Sequence, residues 1–135
     1  MREILFKAKR IDNGEWVEGY YAIAQDRRGL QQHNILLADN HFGYYKWYVI
    51  NPETVCQFTG LHDKNGNKIW ENDIVSDGSE NRTYKVMYDE ENLCLAADNK
   101  AFNKPIALIT LVKYFSLTVI GSAIDNPELL KGGSE

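Results

Sequence analysis

Two carboxylates, Glu71 and Asp73, stand two residues apart near the middle of the chain. Such a pair can do acid–base chemistry when its surroundings push the two pKa values apart. Carboxylates at strand ends also accept hydrogen bonds from turn amides, and Asp73 directly precedes the apolar pair Ile74-Val75. We therefore expect Asp73 to hold a corner of the backbone, and an enzyme that uses Glu71 and Asp73 is kept only as a third, weaker hypothesis.

The run Asp63-Lys64-Asn65-Gly66-Asn67 resembles the opening of an EF-hand calcium loop, with oxygen ligands at its first, third and fifth positions. The match then fails, because Lys68 stands where a Gly makes the sharp turn and Ile74 where a bidentate Glu completes the coordination. The pair Asn65-Gly66 instead favours a type I′ hairpin turn, whose two central residues need positive φ. We predict a plain hairpin and no metal.

The remaining metal-ligating or nucleophilic side chains are His33, His41, His62, Cys56 and Cys94. Zinc sites use closely spaced ligands, and no such pair occurs here. The histidines fall in or beside predicted loops, and the cysteines fall in strand patterns typical of buried free thiols. A catalytic thiol would need a neighbouring imidazole and an oxyanion hole. The sequence therefore predicts no catalytic, cofactor-binding or metal-binding residue, and the protein is expected not to be an enzyme.

Basic residues next to aromatic residues form two clusters in the first third of the chain. Such clusters can stack bases and hold phosphates on a sheet. The alternative is that the rings fill a core and an oligomer interface, with lysine stems lying over them. A net charge of −4 and four nearby acidic residues argue against a general nucleic-acid binder. Nucleic-acid binding stays the alternative, and its candidate residues are Lys7, Lys9, Arg10, Tyr44, Lys46 and Tyr48.

The elements that must position these side chains are predicted to be β strands. Eight Tyr, five Phe and three Trp among 135 residues favour strands over helices. Alternating patterns separated by polar turns predict an N-terminal β subdomain over residues 1–52, ending at Asn51-Pro52, and a C-terminal SH3-like barrel over residues 53–135. The apolar run from Ile106 to Val112 fits a buried strand or a short helix. Asn126-Pro127 predicts a short C-terminal helical turn with Asn126 as its cap.

The sequence also indicates a cellular compartment. No apolar stretch approaches the roughly 20 residues that cross a bilayer. The N-terminal residues show no apolar segment of the kind found in a signal peptide. We therefore expect no membrane association and a cytoplasmic location.

A long motif spans the centre of the chain: Thr59-Gly60-Leu61-x-Asp63-x-Asn65-Gly66-x-x-Ile69-x-Glu71-x-Asp73-Ile74-Val75. It resembles the central signature of the YopX family, small proteins of phages and prophages of mostly Gram-positive bacteria. The opening strand through Lys9, the segment Trp16–Tyr21 and the ending from Val119 to Leu130 are similar to the family as well. Asn72 stands where the family often has Gly.

The resemblance implies a mainly β fold with an SH3-like barrel in the C-terminal half and assembly into homo-oligomers. It carries over no catalytic residue. It implies structural roles for Asn65 and Gly66 in the turn and for Asp73 at the corner, with Ile69, Ile74 and Val75 in the core. The leading hypothesis is a phage- or prophage-encoded, non-enzymatic, homo-oligomeric binding or scaffold module with an unknown protein partner. With this resemblance, the expected cytoplasm is that of the bacterial host cell. The alternative is a nucleic-acid-binding β module.

Overall fold

The computed structural model describes residues 4–39, 44–78, 82–99 and 104–131. Strands make up 54% and helices 12%, and the strands form two antiparallel sheets, which confirms the predicted all-β class. The chain divides into two compact units, Met1–Phe58 and Thr59–Glu135. The predicted break near Pro52 coincides with a single 3-10 turn, Pro52–Thr54, inside the first unit.

The first unit contains the strands β1 (Phe6–Lys9), β2 (Trp16–Gln25), β3 (Gln31–Asp39) and β4 (Tyr44–Val49) and the start of β5 (Cys56–His62). They are antiparallel and lie in the order β4-β3-β2-β1, with the start of β5 beside β1. Gly14, at φ +73°, turns the chain between β1 and β2, and the carboxylate of Asp26 accepts the N–H groups of Arg28 and Leu30 between β2 and β3. The pairing of β1 with β2 makes the first of these turns a hairpin.

One face of this sheet carries the core of the first unit. Directly paired residues of antiparallel strands share a face, and alternate residues of one strand share it too. The pairs Ala8 with Val17 and Tyr21 with Ile35 lie on this core face. Ala8, Ile35 and Ile50 are fully buried there, and the half-buried side chains packed against them are Phe6, Val17, Tyr21, Leu37, Tyr48 and Val55.

The second unit contains β6 (Lys68–Trp70), β7 (Asp73–Ser76), β8 (Thr83–Asp89), β9 (Cys94–Asp98), β10 (Ile106–Ala107), α1 (Leu108–Tyr114), β11 (Thr118–Ser122) and α2 (Glu128–Lys131). Five of its strands form an antiparallel sheet in the order β10-β9-β8-β7-β11. The apolar run from Ile106 is divided between a two-residue strand and a seven-residue helix, so both interpretations of it hold in part. The predicted SH3-like barrel stays a prediction.

The three residues that the sequence motif placed in the core are buried, and two of them, Ile69 and Val75, belong to the apolar core cluster of the second unit. Ile69, Ile74 and Val75 are all fully buried, as expected. Each such side chain contributes about 1.5–3 kcal/mol through burial. The α1 helix adds Leu108 and Leu111 to this core. The helical turn near the C-terminus is confirmed as α2. The carbonyl of Asn126 accepts the N–H of Leu129, and its side-chain oxygen accepts the N–H of Ser122. The side-chain cap predicted for Asn126 stays a prediction.

The hairpin between β5 and β6 differs from the predicted type I′ turn. Only Gly66 has positive φ, +84°, whereas Asn65 does not. Asp63 donates its N–H to the carbonyl of Asn67, and Gly66 donates to the carbonyl of Asp63. This is the pattern of a three-residue loop, in which an ordinary turn is followed by a left-handed residue. The requirement for left-handed backbone therefore falls on Gly66 alone.

The corner between β6 and β7 contains a left-handed Asn72, at φ +71°. A residue with a Cβ pays about 1–2 kcal/mol to adopt this left-handed conformation, whereas Gly does not. Gly also makes the unfolded chain more flexible, which lowers the free energy of unfolding and cancels part of that advantage. We expect Asn72→Ala to be less stable than Asn72→Gly by about 1 kcal/mol. Urea unfolding of the two variants measures the difference. Both lack the amide side chain, so equal stabilities would contradict the backbone explanation.

Candidate functional site

The carboxylate of Asp63 is already fully engaged by its own turn and by β11. One oxygen accepts the N–H groups of Asn65 and Asn67, both at 2.9 Å, and the other accepts the N–H of Val119 at 3.0 Å and the Asn67 amide at 3.4 Å. Burial raises the pKa of Asp63, but these hydrogen bonds outweigh it, so the pKa lies below its ordinary value. Asp63 acts as a clamp within the second unit, and its oxygens point to no calcium ligation.

Glu71 and Asp73 do not form a paired acid and base on a strand. Glu71 lies in the turn before β7, and Asp73 is buried at the first position of β7. The Asp73 carboxylate accepts the N–H of Trp70 at 2.8 Å, which closes the corner between β6 and β7. The corner role predicted for Asp73 is confirmed by this bond.

The cysteines and histidines are dispersed. Cys56 is buried, Cys94 is half-buried, and both are free thiols. His33 lies within β3, two residues from its start, and its Nδ1 shares a hydrogen bond with the hydroxyl of Tyr21. His41 lies outside the described residues. Within the described ranges no group of three or more His, Cys, Asp or Glu side chains could hold a metal ion.

Lys7 and Lys9 lie together on the face of the first sheet opposite its core. Lys9 is paired with Trp16 and Lys7 with Glu18, so all four share this open face. The ammonium groups lie 4.6 Å and 5.5 Å from the Trp16 ring centroid, which is cation–π distance. Glu18 stands directly across from Lys7 and offsets part of its positive charge.

The other basic candidates lie elsewhere. Arg10 binds Asp12 through two hydrogen bonds, of 2.9 Å and 2.6 Å, and its guanidinium stacks 4.2 Å from the Tyr48 ring centroid. The Asp12 carboxylate raises the pKa of Arg10, and Arg10 lowers the pKa of Asp12. This guanidinium is therefore engaged by a neighbouring acid and by a ring of its own unit.

The register of β4 divides the predicted nucleic-acid residues between the two faces. Tyr48 is paired with Ile35 and Lys46 with Leu37, so both stand on the core face and not beside Lys7 and Lys9. The backbone of Tyr44 belongs to β4, but its side chain lies outside the described part of the chain. Lys46 occupies an edge strand, where lysine commonly discourages unwanted strand pairing.

The same register assembles an apolar row that the site prediction did not include. Tyr20 is paired with Leu36, and Leu36 is paired with Trp47, so the three side chains cross β2, β3 and β4 on the open face. Trp47 is 67% exposed and Tyr20 is 54% exposed. Val49, also partly exposed, extends the row along β4. Alternation along each strand was the available signal, but it could not show how the strands pair.

Comparisons with known proteins give the family from a family model and the fold from a solved structure. A family model described as YopX protein matches residues 5–131. Among solved structures, the chain is similar to protein EF1440 from Enterococcus faecalis, with a TM-score of 0.57 and 19% identity over 96% of this chain and 99% of that one. No curated protein sequence matches. Among the described helices, none is both long enough and apolar enough to cross a bilayer.

Proposed function

The chain belongs to the YopX family, and from this premise we propose that it is a non-enzymatic, homo-oligomeric binding or scaffold module. The proposal includes a phage or prophage origin and a cytoplasmic location in the bacterial host. It also includes an SH3-like barrel in the second unit, which its short antiparallel strands support. The single observation that carries the self-assembly is the apolar row Tyr20, Leu36 and Trp47.

The row has the composition of a protein interface. Aromatic residues are enriched in interfaces and give large contact area for little conformational entropy. An indole that is 67% exposed on a sheet face is a large apolar surface in contact with water. A second copy of the same face would cover it in a symmetric, two-fold arrangement. Lys7, Lys9 and Glu18 then form part of the polar rim of that interface, with the Trp16 ring beside the two lysines.

A second candidate function rests on the basic side of the same face. Lys7 and Lys9 over Trp16, with Tyr20 and Trp47 nearby, supply cations and stacking rings for a single-stranded nucleic acid. The six predicted residues do not act as one surface, because Lys46 and Tyr48 stand on the other face. Binding would therefore depend on few phosphate contacts and weaken steeply with salt.

Light scattering on the variants Tyr20→Ser and Trp47→Ser tests the self-assembly. We expect a fixed multiple of the chain mass for the parent protein. Each variant should weaken association about tenfold or more, because burial of an aromatic ring contributes about 1.5–3 kcal/mol. Ile23→Ser is the matched control, since Ile23 is 51% exposed on the same strand but on the opposite face.

Parent protein with the mass of one chain, or equal effects of Ile23→Ser and Trp47→Ser, would contradict assembly through the open face. The same measurement with short single-stranded DNA or RNA at low and high salt separates the second candidate. A mass that rises with nucleic acid only at low salt, and no longer rises in Lys7→Ala, would favour nucleic-acid binding over self-assembly.

A further inference from the structure

A groove of about 450 Å³ opens on the surface of the second unit. One wall is the end of β5 and the hairpin turn that follows, residues 62–64, and the other is the end of α1 with the loop after it, residues 112–117. The volume falls within the range of small-molecule binding sites. No catalytic, metal or nucleic-acid residue predicted from the sequence lines this groove.

The walls are held by ordinary packing and backbone hydrogen bonds. Leu108 and Leu111 are buried and anchor α1, and Leu117, which lines the groove, is buried as well. Lys64 donates its backbone N–H to the carbonyl of Leu117 at 2.9 Å, which ties one wall to the other. A ligand would therefore meet a surface whose backbone is already ordered.

Two aromatic rings stand at the helix end of the groove with much of their surface in water. Tyr114 is 70% exposed and Phe115 is 48% exposed. The helix ends at Tyr114, and Phe115 leaves it in an extended conformation. Rings of this kind offer faces on which a planar ligand can stack.

Two lysines give the groove a positive rim. Lys64 and Lys113 are both exposed, and neither makes an ion pair with a carboxylate of the described residues. The Lys113 ammonium lies 5.7 Å from the Tyr114 ring centroid, so charge and ring are side by side. The carboxylate in the wall, Asp63, is engaged by four donors and offers no oxygen to a cation.

We propose that this groove binds a planar aromatic anion, meaning a ring that stacks on Tyr114 or Phe115 and carries a phosphate or carboxylate bound by Lys64 and Lys113. A nucleotide has this chemistry, with a planar base and a phosphate, and would bind here as a single small molecule. The inference concerns the second unit and is independent of self-assembly through the open face.

Calorimetric titration of the whole chain with AMP, adenosine and inorganic phosphate tests the proposal. We expect AMP to bind more tightly than adenosine or phosphate alone, because only AMP engages rings and lysines together. Lys64→Ala and Lys113→Ala should each weaken AMP binding about tenfold, which is the effect of losing one hydrogen bond to a charged group. Lys104→Ala is the charge-matched control, since Lys104 is exposed and does not line the groove.

The titrations test the type of anion, the role of the rings and the site itself one by one. Benzoate derivatives, with a ring and a carboxylate, report whether the anion can be other than phosphate, and either source satisfies the proposal. Equal binding of phosphate and AMP would overturn the role of the rings. No AMP binding, or equal losses in Lys64→Ala, Lys113→Ala and Lys104→Ala, would overturn the site itself. Shifts of the Tyr114 and Phe115 ring resonances on titration are expected, and unmoved rings would contradict stacking.

Discussion

Replacement of Asp63 by Ala is expected to lower the free energy of unfolding by about 3 kcal/mol, because a hydrogen bond to a charged group contributes about 1.5–3 kcal/mol. Asp63 accepts three backbone N–H groups, and the donor in Val119 belongs to β11, 56 residues away in sequence. Without the carboxylate the N–H of Val119 is left half-buried with no acceptor. Urea unfolding at neutral pH measures the loss.

Asp63→Asn separates the two jobs of the carboxylate. An amide oxygen can still accept from Asn65 and Asn67, but the amide nitrogen that replaces the second oxygen cannot accept from Val119. We therefore expect Asp63→Asn to keep the hairpin turn and lose its connection to β11, with an effect between those of the parent and Asp63→Ala. A loss in Asp63→Asn as large as that in Asp63→Ala would show that Val119 is the only donor that matters.

The pH dependence of this difference follows from the direction of the pKa shift. Burial raises the pKa of Asp63, but the bonds from Val119, Asn67 and Asn65 leave it below its ordinary value of 3.8. The stabilisation is thus fully present above the unfolded-state pKa and is lost as pH falls through the lower folded-state pKa. The stability gap between the parent and Asp63→Asn should shrink on acidification below about pH 4. A gap that stays constant down to pH 2 would contradict the clamp.

The turn that contains Asp63 shows how far sequence reasoning reaches. Asn65-Gly66 correctly predicted a hairpin, because Gly66 does take positive φ. The turn type was wrong, because the carboxylate of Asp63 accepts two amides of the turn and stabilises a three-residue loop instead. The turn propensities of Asn65 and Gly66 take no account of the Asp63 side chain, which precedes them and bonds to the turn.

The candidate site was predictable in its parts and not in its arrangement. Alternating patterns predicted strands, and these strands carry the aromatic and basic residues. The pairing of β3 with β4 then decides that Trp47 joins Tyr20 while Lys46 and Tyr48 turn the other way. A shift of one residue in that register would reverse every side chain of β4. Register depends on long-range packing, and the pattern within β4 does not contain it.

A second large effect is expected from Gly19→Ala, which should lower the free energy of unfolding by about 3 kcal/mol, at the upper end of the costs of overpacking. Gly19 lies where β2 changes partner: it is paired with Phe6 of β1, and the next residue, Tyr20, is paired with Leu36 of β3. A Cβ at Gly19 would stand 2.3 Å from the Leu36 carbonyl oxygen and 3.0 Å from its carbon. Both atoms are backbone, so the strands themselves would have to separate.

The matched control is Gly14→Ala in the turn of the same unit. Gly14 has φ +73° and open space around its Cβ position, so Ala there costs only about 1 kcal/mol of backbone strain. Gly19 has no such φ, so its larger loss would come from close approach alone. Because β3 must move away from Gly19, the pair Tyr20 and Leu36 must separate as well. Gly19→Ala should therefore weaken self-association through the open face, whereas Gly14→Ala should leave it intact. Equal losses of stability in the two variants would contradict the close approach of β3 as the reason for glycine at this position.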